Sequence, residues 1–295
     1  MSAYYKGSPQ RREPRVSNRV INDPVAVIYN QASWRISKVT ALYNLQYEAV
    51  KLKQYRASIK QALVNIVTTN SSLKYSVNVV GEPQLKYSED DSDALMITVS
   101  SSASSENSKS AVVYEAILLS WGMCNTVPEA IHLPYLLERG EQKVGTAVKT
   151  AFASIFDCRI IPFSFNQRQI LQFAFNFIEN ETSNLDKPMK FIYSTPNVDT
   201  KDKLTLSFEI QDVYLILNSM KEEAKKRSEL VFLTYQGLQN QIFDTFEFDI
   251  AVLNLHEVAL PKASVKDNGT FKMKTPEMVN SVFTVLNEIC TIDAV

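Results

Sequence analysis

The chain has two histidines, three cysteines and seven glycines in 295 residues, and each shortage excludes a kind of chemistry. His132 and His256 stand in no HExxH, HxH or Cys/His spacing, which argues against a zinc site. There is no P-loop, no GxGxxG and no GxSxG elbow, and seven glycines leave little material for phosphate-cradling loops. Cys124, Cys158 and Cys290 are odd in number and far apart, so they suggest neither a disulfide framework nor a CxxC site and read as buried small hydrophobes. Asp157 beside Cys158 could orient a thiol nucleophile only with a histidine nearby, and a structural aspartate at a helix end is the simpler reading. The acidic run Ser88 to Asp93 lacks the glycine and distant glutamate of a calcium loop and reads as a solvated turn. No catalysis, cofactor or metal is expected.

Long apolar runs are also missing. None approaches the roughly 20 residues that span a bilayer, and the opening MSAYYKGSPQRR has no signal-type apolar stretch, so the expectation is an intracellular protein away from membranes. The three N-x-S/T matches at Asn70, Asn180 and Asn268 then read as chance. A net charge of -1 gives no global bias toward nucleic acid. Its distribution is uneven: Lys6, Arg11, Arg12, Arg15 and Arg19 face only Glu13, among Gly7, Pro9 and Pro14, so residues 1–22 read as a disordered basic tail.

What remains, 45% hydrophobic and 21% charged, is ordinary for a globular protein, long enough for one large domain or two lobes. Val144, Val148, Phe152 and Ile155 recur at helical spacing; the strand Arg159 to Phe165 follows, and Pro162 makes it an edge or broken strand. A second helix, Gln167 to Glu179, comes almost at once. Upstream, Trp34 to Tyr47 reads as extended, and a helix over 49–67 buries Leu52, Tyr55, Ile59, Leu63 and Ile66. Lys53, Arg56 and Lys60 sit together beside that stripe. Leu73 to Val79, Leu95 to Val99 and Val112 to Trp121 read as an antiparallel meander, joined through the serine-rich Ser100 to Ser110 loop.

Later, Lys190 to Ser194 and Leu204 to Ile210 read as strands, and Asp212 to Lys226 and Glu229 to Asp244 as helices. The charged run Lys221 to Arg227 reads as a solvated helix end. Phe246, Phe248, Ile250 and Val252 alternate as one face of a long strand, with an Asn268-Gly269 turn ahead of a return strand carrying Phe271 and Met273. Thr275-Pro276-Glu277 opens a last helix whose Val279, Val282, Phe283, Leu286 and Ile289 face a core. Lys272 and Lys274 point away from Phe271 and Met273, and with Lys262 and Lys266 they could line a phosphate groove or simply keep an edge strand soluble. The fold class is α+β: mixed or antiparallel twisted sheets with helices packed on one face, in two lobes, 23–160 and 161–295.

The corner at Thr146 to Ile170, with Leu133-Pro134 and Phe156-Asp157-Cys158, resembles the centromere protein L family. So do Trp34 with Ala41 to Tyr47 and the helix after it, Leu204 to Ile210, and the ending from Phe246 to Ile292; the likeness covers roughly residues 25 to 292 in order. It implies a fold likened to the TATA-box-binding protein and a non-catalytic inner-kinetochore scaffold in the nucleus. It implies pairing with centromere protein N, other network subunits as neighbours, and contact with centromeric nucleosomes and sequence-independent DNA. A homodimer is implied when the partner is absent. On this reading Phe246, Phe248, Ile250 and Val252 lie on an open ribbon that receives the partner's strand, and Lys262, Lys266, Lys272, Lys274, Lys53, Arg56 and Lys60 are the candidate DNA-backbone contacts. The alternative is a small-molecule-binding or enzymatic α+β protein with a pocket between sheet and helices.

Overall fold

The structure, a computed structural model, describes residues 23–30, 33–67, 73–103, 110–123, 127–180, 187–194 and 203–292. The basic tail, Cys124 and most of the serine-rich loop therefore lie outside the described residues. The first half contains α1 (Ala26–Tyr29), β1 (Trp34–Val39), β2 (Leu42–Tyr43), α2 (Ala49–Val67), β3 (Leu73–Glu82), β4 (Ala94–Ala103), β5 (Ala111–Leu119), β6 (Ala130–Ile131), β7 (Tyr135–Gly140) and α3 (Gln142–Phe156). The second half contains β8 (Ile160–Pro162), α4 (Gln167–Asn180), β9 (Pro188–Ser194), β10 (Lys203–Glu209), α5 (Ile210–Met220), α6 (Arg227–Phe246), β11 (Asn254–Ala259), β12 (Ala263–Lys266), β13 (Thr270–Met273) and α7 (Pro276–Ile292).

Eleven strands form one antiparallel sheet in the order β10-β9-β11-β12-β13-β1-β7-β5-β4-β3, with β8 paired to β1 beside that path. The two halves thus share a single sheet, joined where Trp34 on β1 faces Phe271 on β13. The expected α+β class and the β3-β4-β5 meander are borne out. So is Pro162 on a short strand with one neighbour, since proline has no N–H to give a second.

Two cores lie on opposite faces of this sheet. Along β5, Ala116 and Leu118 join a core with Tyr55, Ile59 and Leu63 of α2 and Val148 and Phe152 of α3. The alternate residues Ile117 and Leu119 join the other core, with Phe173 and Phe177 of α4 and Val282 and Phe283 of α7. Burial on both faces explains the unbroken apolar run from Ala116 to Leu119 in β5. Helices α2 and α3 cover one face of the sheet, and α1 and α4 to α7 the other.

Helix α7 fastens the two halves together. Phe283 stacks on Trp121 at 4.7 Å and packs against Tyr135 at 5.2 Å; Asn287 accepts from the Tyr135 hydroxyl and donates to the Trp121 carbonyl at 3.0 Å. Its start follows the expected cap, with Thr275 Oγ1 accepting from Met278 N. The Asn268-Gly269 turn is present, Gly269 taking the left-handed φ of 75° that a side chain would disfavour.

Several expectations are corrected. Ile66 is exposed, because α2 is covered only along Tyr55, Ile59 and Leu63. Asp91 in the acidic run is buried: it accepts from Tyr87 N, Gly122 N and the Ser88 hydroxyl, pinning its loop to the end of β5. Helix α5 stops at Met220, and the charged run folds back so that Lys221 and Arg227 both grip Glu179 of α4, at 3.2 and 2.6 Å.

Candidate functional site

Among the described residues three strands of the sheet have a single neighbour: β10, β3 and the three-residue β8, which carries Pro162. The β3 margin lies under α2, where Arg56 Nη2 donates to the Val79 carbonyl at 2.8 Å. Strand β10 pairs with β9 from Lys203↔Ser194 to Glu209↔Pro188 and with no other described strand. Its inward side chains Leu204, Leu206 and Phe208 are only half-buried, and Lys203, Thr205, Ser207 and Glu209 between them are exposed. A strand laid alongside would find unpaired backbone groups and apolar side chains still partly wet.

The ribbon expected at Phe246 to Val252 is not there. Helix α6 runs to Phe246, Glu247 ends it in the left-handed region with its N–H on the Phe243 carbonyl at 2.8 Å, and Ile250–Val252 form a 3-10 turn capped by Asp249. The alternation that suggested a strand comes from a helix end followed by a turn, where aromatic and acidic residues happen to alternate. The strand begins only at Asn254, and as β11 it lies between β9 and β12, inside the sheet. Phe246, Phe248 and Val252 are exposed on no strand, and Ile250 is buried.

The candidate lysines lie in two places, on the sheet and on α2. Lys272 on β13 faces Ser264 on β12, and Lys266 ends β12, so both stand on the side of the sheet away from Phe271 and Val265. Lys274 and Lys262 lie at the adjoining turn, where Lys274 N donates to the Lys262 carbonyl and Lys274 Nζ to that of Pro261. Lys190 on β9 and Lys203 on β10 share this face; the alternation of buried Met189, Phe191 and Tyr193 was the signal that could have found Lys190. Acidic groups temper the charge: Glu257 holds Lys266 at 3.2 Å, and Asp267 holds His256 at 2.9 Å. Of the α2 trio, Lys53 and Lys60 are exposed while Arg56 is turned inward onto β3.

The constellation most like a catalytic one is Tyr114, Glu138 and Lys149, with the tyrosine hydroxyl 2.9 Å and the lysine 2.7 Å from the buried Glu138 carboxylate. It sits under α3, where Gly145 lets the Tyr114 ring approach; a Cβ there would meet the ring at 2.7 Å. Burial, then Glu138, pushes the Tyr114 hydroxyl up, and burial pushes the Cys158 thiol up to about 11, away from the nucleophilic form. His132 goes the other way, lowered by burial, with Nδ1 3.3 Å from the Met123 carbonyl. Among the described residues no group of three potential ligands could hold a metal, and no helix is long and apolar enough to cross a membrane. A surface groove of about 630 Å³ is lined by Arg168, Gln172, Arg227 and Glu288, whose heads are largely engaged with one another or with Glu179.

The sequence model of the centromere protein L family matches residues 28–291. Centromere protein L of Xenopus tropicalis is 21% identical over 308 residues, an alignment spanning 97% of this chain and 86% of the frog protein.

Proposed function

This chain belongs to the centromere protein L family and is thereby a centromere and kinetochore protein, and from that premise we propose that it is a non-catalytic scaffold subunit that pairs with centromere protein N by continuing its sheet. The observation that carries this reading is β10: a margin strand with no further described neighbour, whose Leu204, Leu206 and Phe208 remain half in water. A docked strand would satisfy its backbone and cover those side chains together. Without the partner, a second copy of the chain can use the same margin. In the nucleus the pair would help the inner-kinetochore network hold centromeric nucleosomes, with the lysines of the outward face set against DNA phosphates and no base readout.

The enzyme reading has less support. Tyr114, Tyr135, Tyr193 and Cys158 are all shifted chiefly by burial and are packed among core side chains, which is how structural groups rather than poised nucleophiles are shifted.

The test is Leu204→Lys with Leu206→Lys. Both side chains are half-exposed, so the lone chain tolerates the charge, whereas a docking strand would have to desolvate it. Light scattering of the chain mixed with centromere protein N should show the complex for the natural sequence and mostly separate proteins for the double variant. A complex that persists with the variant folded, as judged by its melting curve, would place the contact elsewhere.

A further inference from the structure

We infer that the outward side of α6 is a second docking surface, separate from the β10 margin, and that it takes a short amphipathic segment of another protein carrying apolar residues flanked by lysine or arginine. Phe232, Phe243, Phe246 and Phe248 are 62%, 54%, 67% and 40% exposed. The first three lie 11 and 3 residues apart on one helix, which places them within roughly 60° of each other around its axis. Phe248 follows directly, and Val252, 64% exposed, lies in the turn that packs on the same helix. Single exposed apolar side chains are normal on any protein; a row of phenylalanines is not.

Charge and area select the occupant. From Ser228 to Pro261 the chain has no lysine or arginine, while Asp244, Glu247 and Asp249 alternate with the phenylalanines. All three carboxylates are exposed, and among the described residues none forms an ion pair. The surface therefore repels phosphate backbone and attracts a basic partner. The exposed ring area is on the order of 400 Å², about half of what each side of a stable protein dimer contributes. A second copy is thus poorly matched, and about four turns of a bound helix, with apolar residues recurring at i, i+3 and i+7 along the roughly 21 Å from Phe232 to Phe246, fit it.

The experiment is selection of random 16-residue peptides displayed on phage against the full chain, counter-selected with F243S/F246S. The expected winners carry net positive charge and apolar residues at helical spacing. Measured as labelled synthetic peptides by anisotropy, they should bind about tenfold or more weakly to F243S/F246S and to F232S. Asp244→Asn with Glu247→Gln should weaken them as well, and L206K should leave them unaffected, separating this surface from the sheet margin. Melting curves confirm that each variant is folded. Winners that are acidic, winners indifferent to the phenylalanine changes, or a concentration-dependent dimer that F243S/F246S abolishes would each overturn the inference.

Discussion

Arg56 extends from α2 to the Val79 carbonyl of β3, 2.8 Å away, so a residue that the sequence places in a basic cluster is tied to the sheet. Its Nε is buried without a partner, which makes the single Nη2 bond the more important. Arg56→Ala should cost about 1–3 kcal/mol in urea unfolding, as expected for loss of a charge-assisted bond, with no change in DNA affinity. A DNA defect at unchanged stability would return Arg56 to the surface.

Lys190, Lys272 and Lys274 test the outward face. Each changed to alanine should weaken binding of duplex DNA by the chain with its partner equally for all sequences, and should lower the slope of log affinity against log salt by about 1. Lys266→Ala should do less, because Glu257 already holds that lysine. A salt slope that ignores all three changes would remove the face from DNA binding.

Phe271 packs edge-on against Phe165 and Phe173 at 5.6 and 5.0 Å at the seam between the halves. Phe271→Ala should destabilise by about 3–5 kcal/mol, and both halves should still melt in one transition because they share the sheet. Two separate transitions would show the seam to be weaker than its burial suggests.

Tyr47, Tyr114, Tyr135 and Tyr193 have hydroxyls raised above their ordinary value of 10.0, in each case mainly by burial. The folded chain keeps these protons where the unfolded chain loses them, so stability holds below about pH 10 and falls as pH rises beyond it. The share of tyrosinate absorbance that these four contribute should then appear together with unfolding. Smooth ionisation of all the tyrosines in a folded chain at pH 10 would contradict their burial.

Much of this architecture was legible because periodicity reports burial. Tyr55, Ile59 and Leu63 marked α2, and Thr275-Pro276-Glu277 marked the start of α7. Pairing was not legible, since alternation says that a strand has two faces and not which strands flank it. The closing hairpin was therefore expected at an open margin although β11, β12 and β13 fill the middle of the sheet, and β10, legible as a strand from its alternation, was not expected at the margin it forms. The candidate site failed for a related reason: apolar residues are assigned to interiors, so Phe246 and Phe248 were given a strand face instead of being taken as exposed aromatics. The outward side of Lys272 and Lys274 was legible because the side of a strand a residue faces follows from its neighbours.

The seam between β1 and β13 also governs how the molecule is made. Trp34 on β1 is made 237 residues before Phe271, its neighbour on β13, so that end of β1 waits unpaired on the ribosome until β13 emerges. Contacts this distant in the chain form slowly, and half-built sheets are prone to aggregate. Nascent chains should need chaperone shelter throughout translation, and removal of residues from β13 onward should yield insoluble protein rather than a shorter folded one.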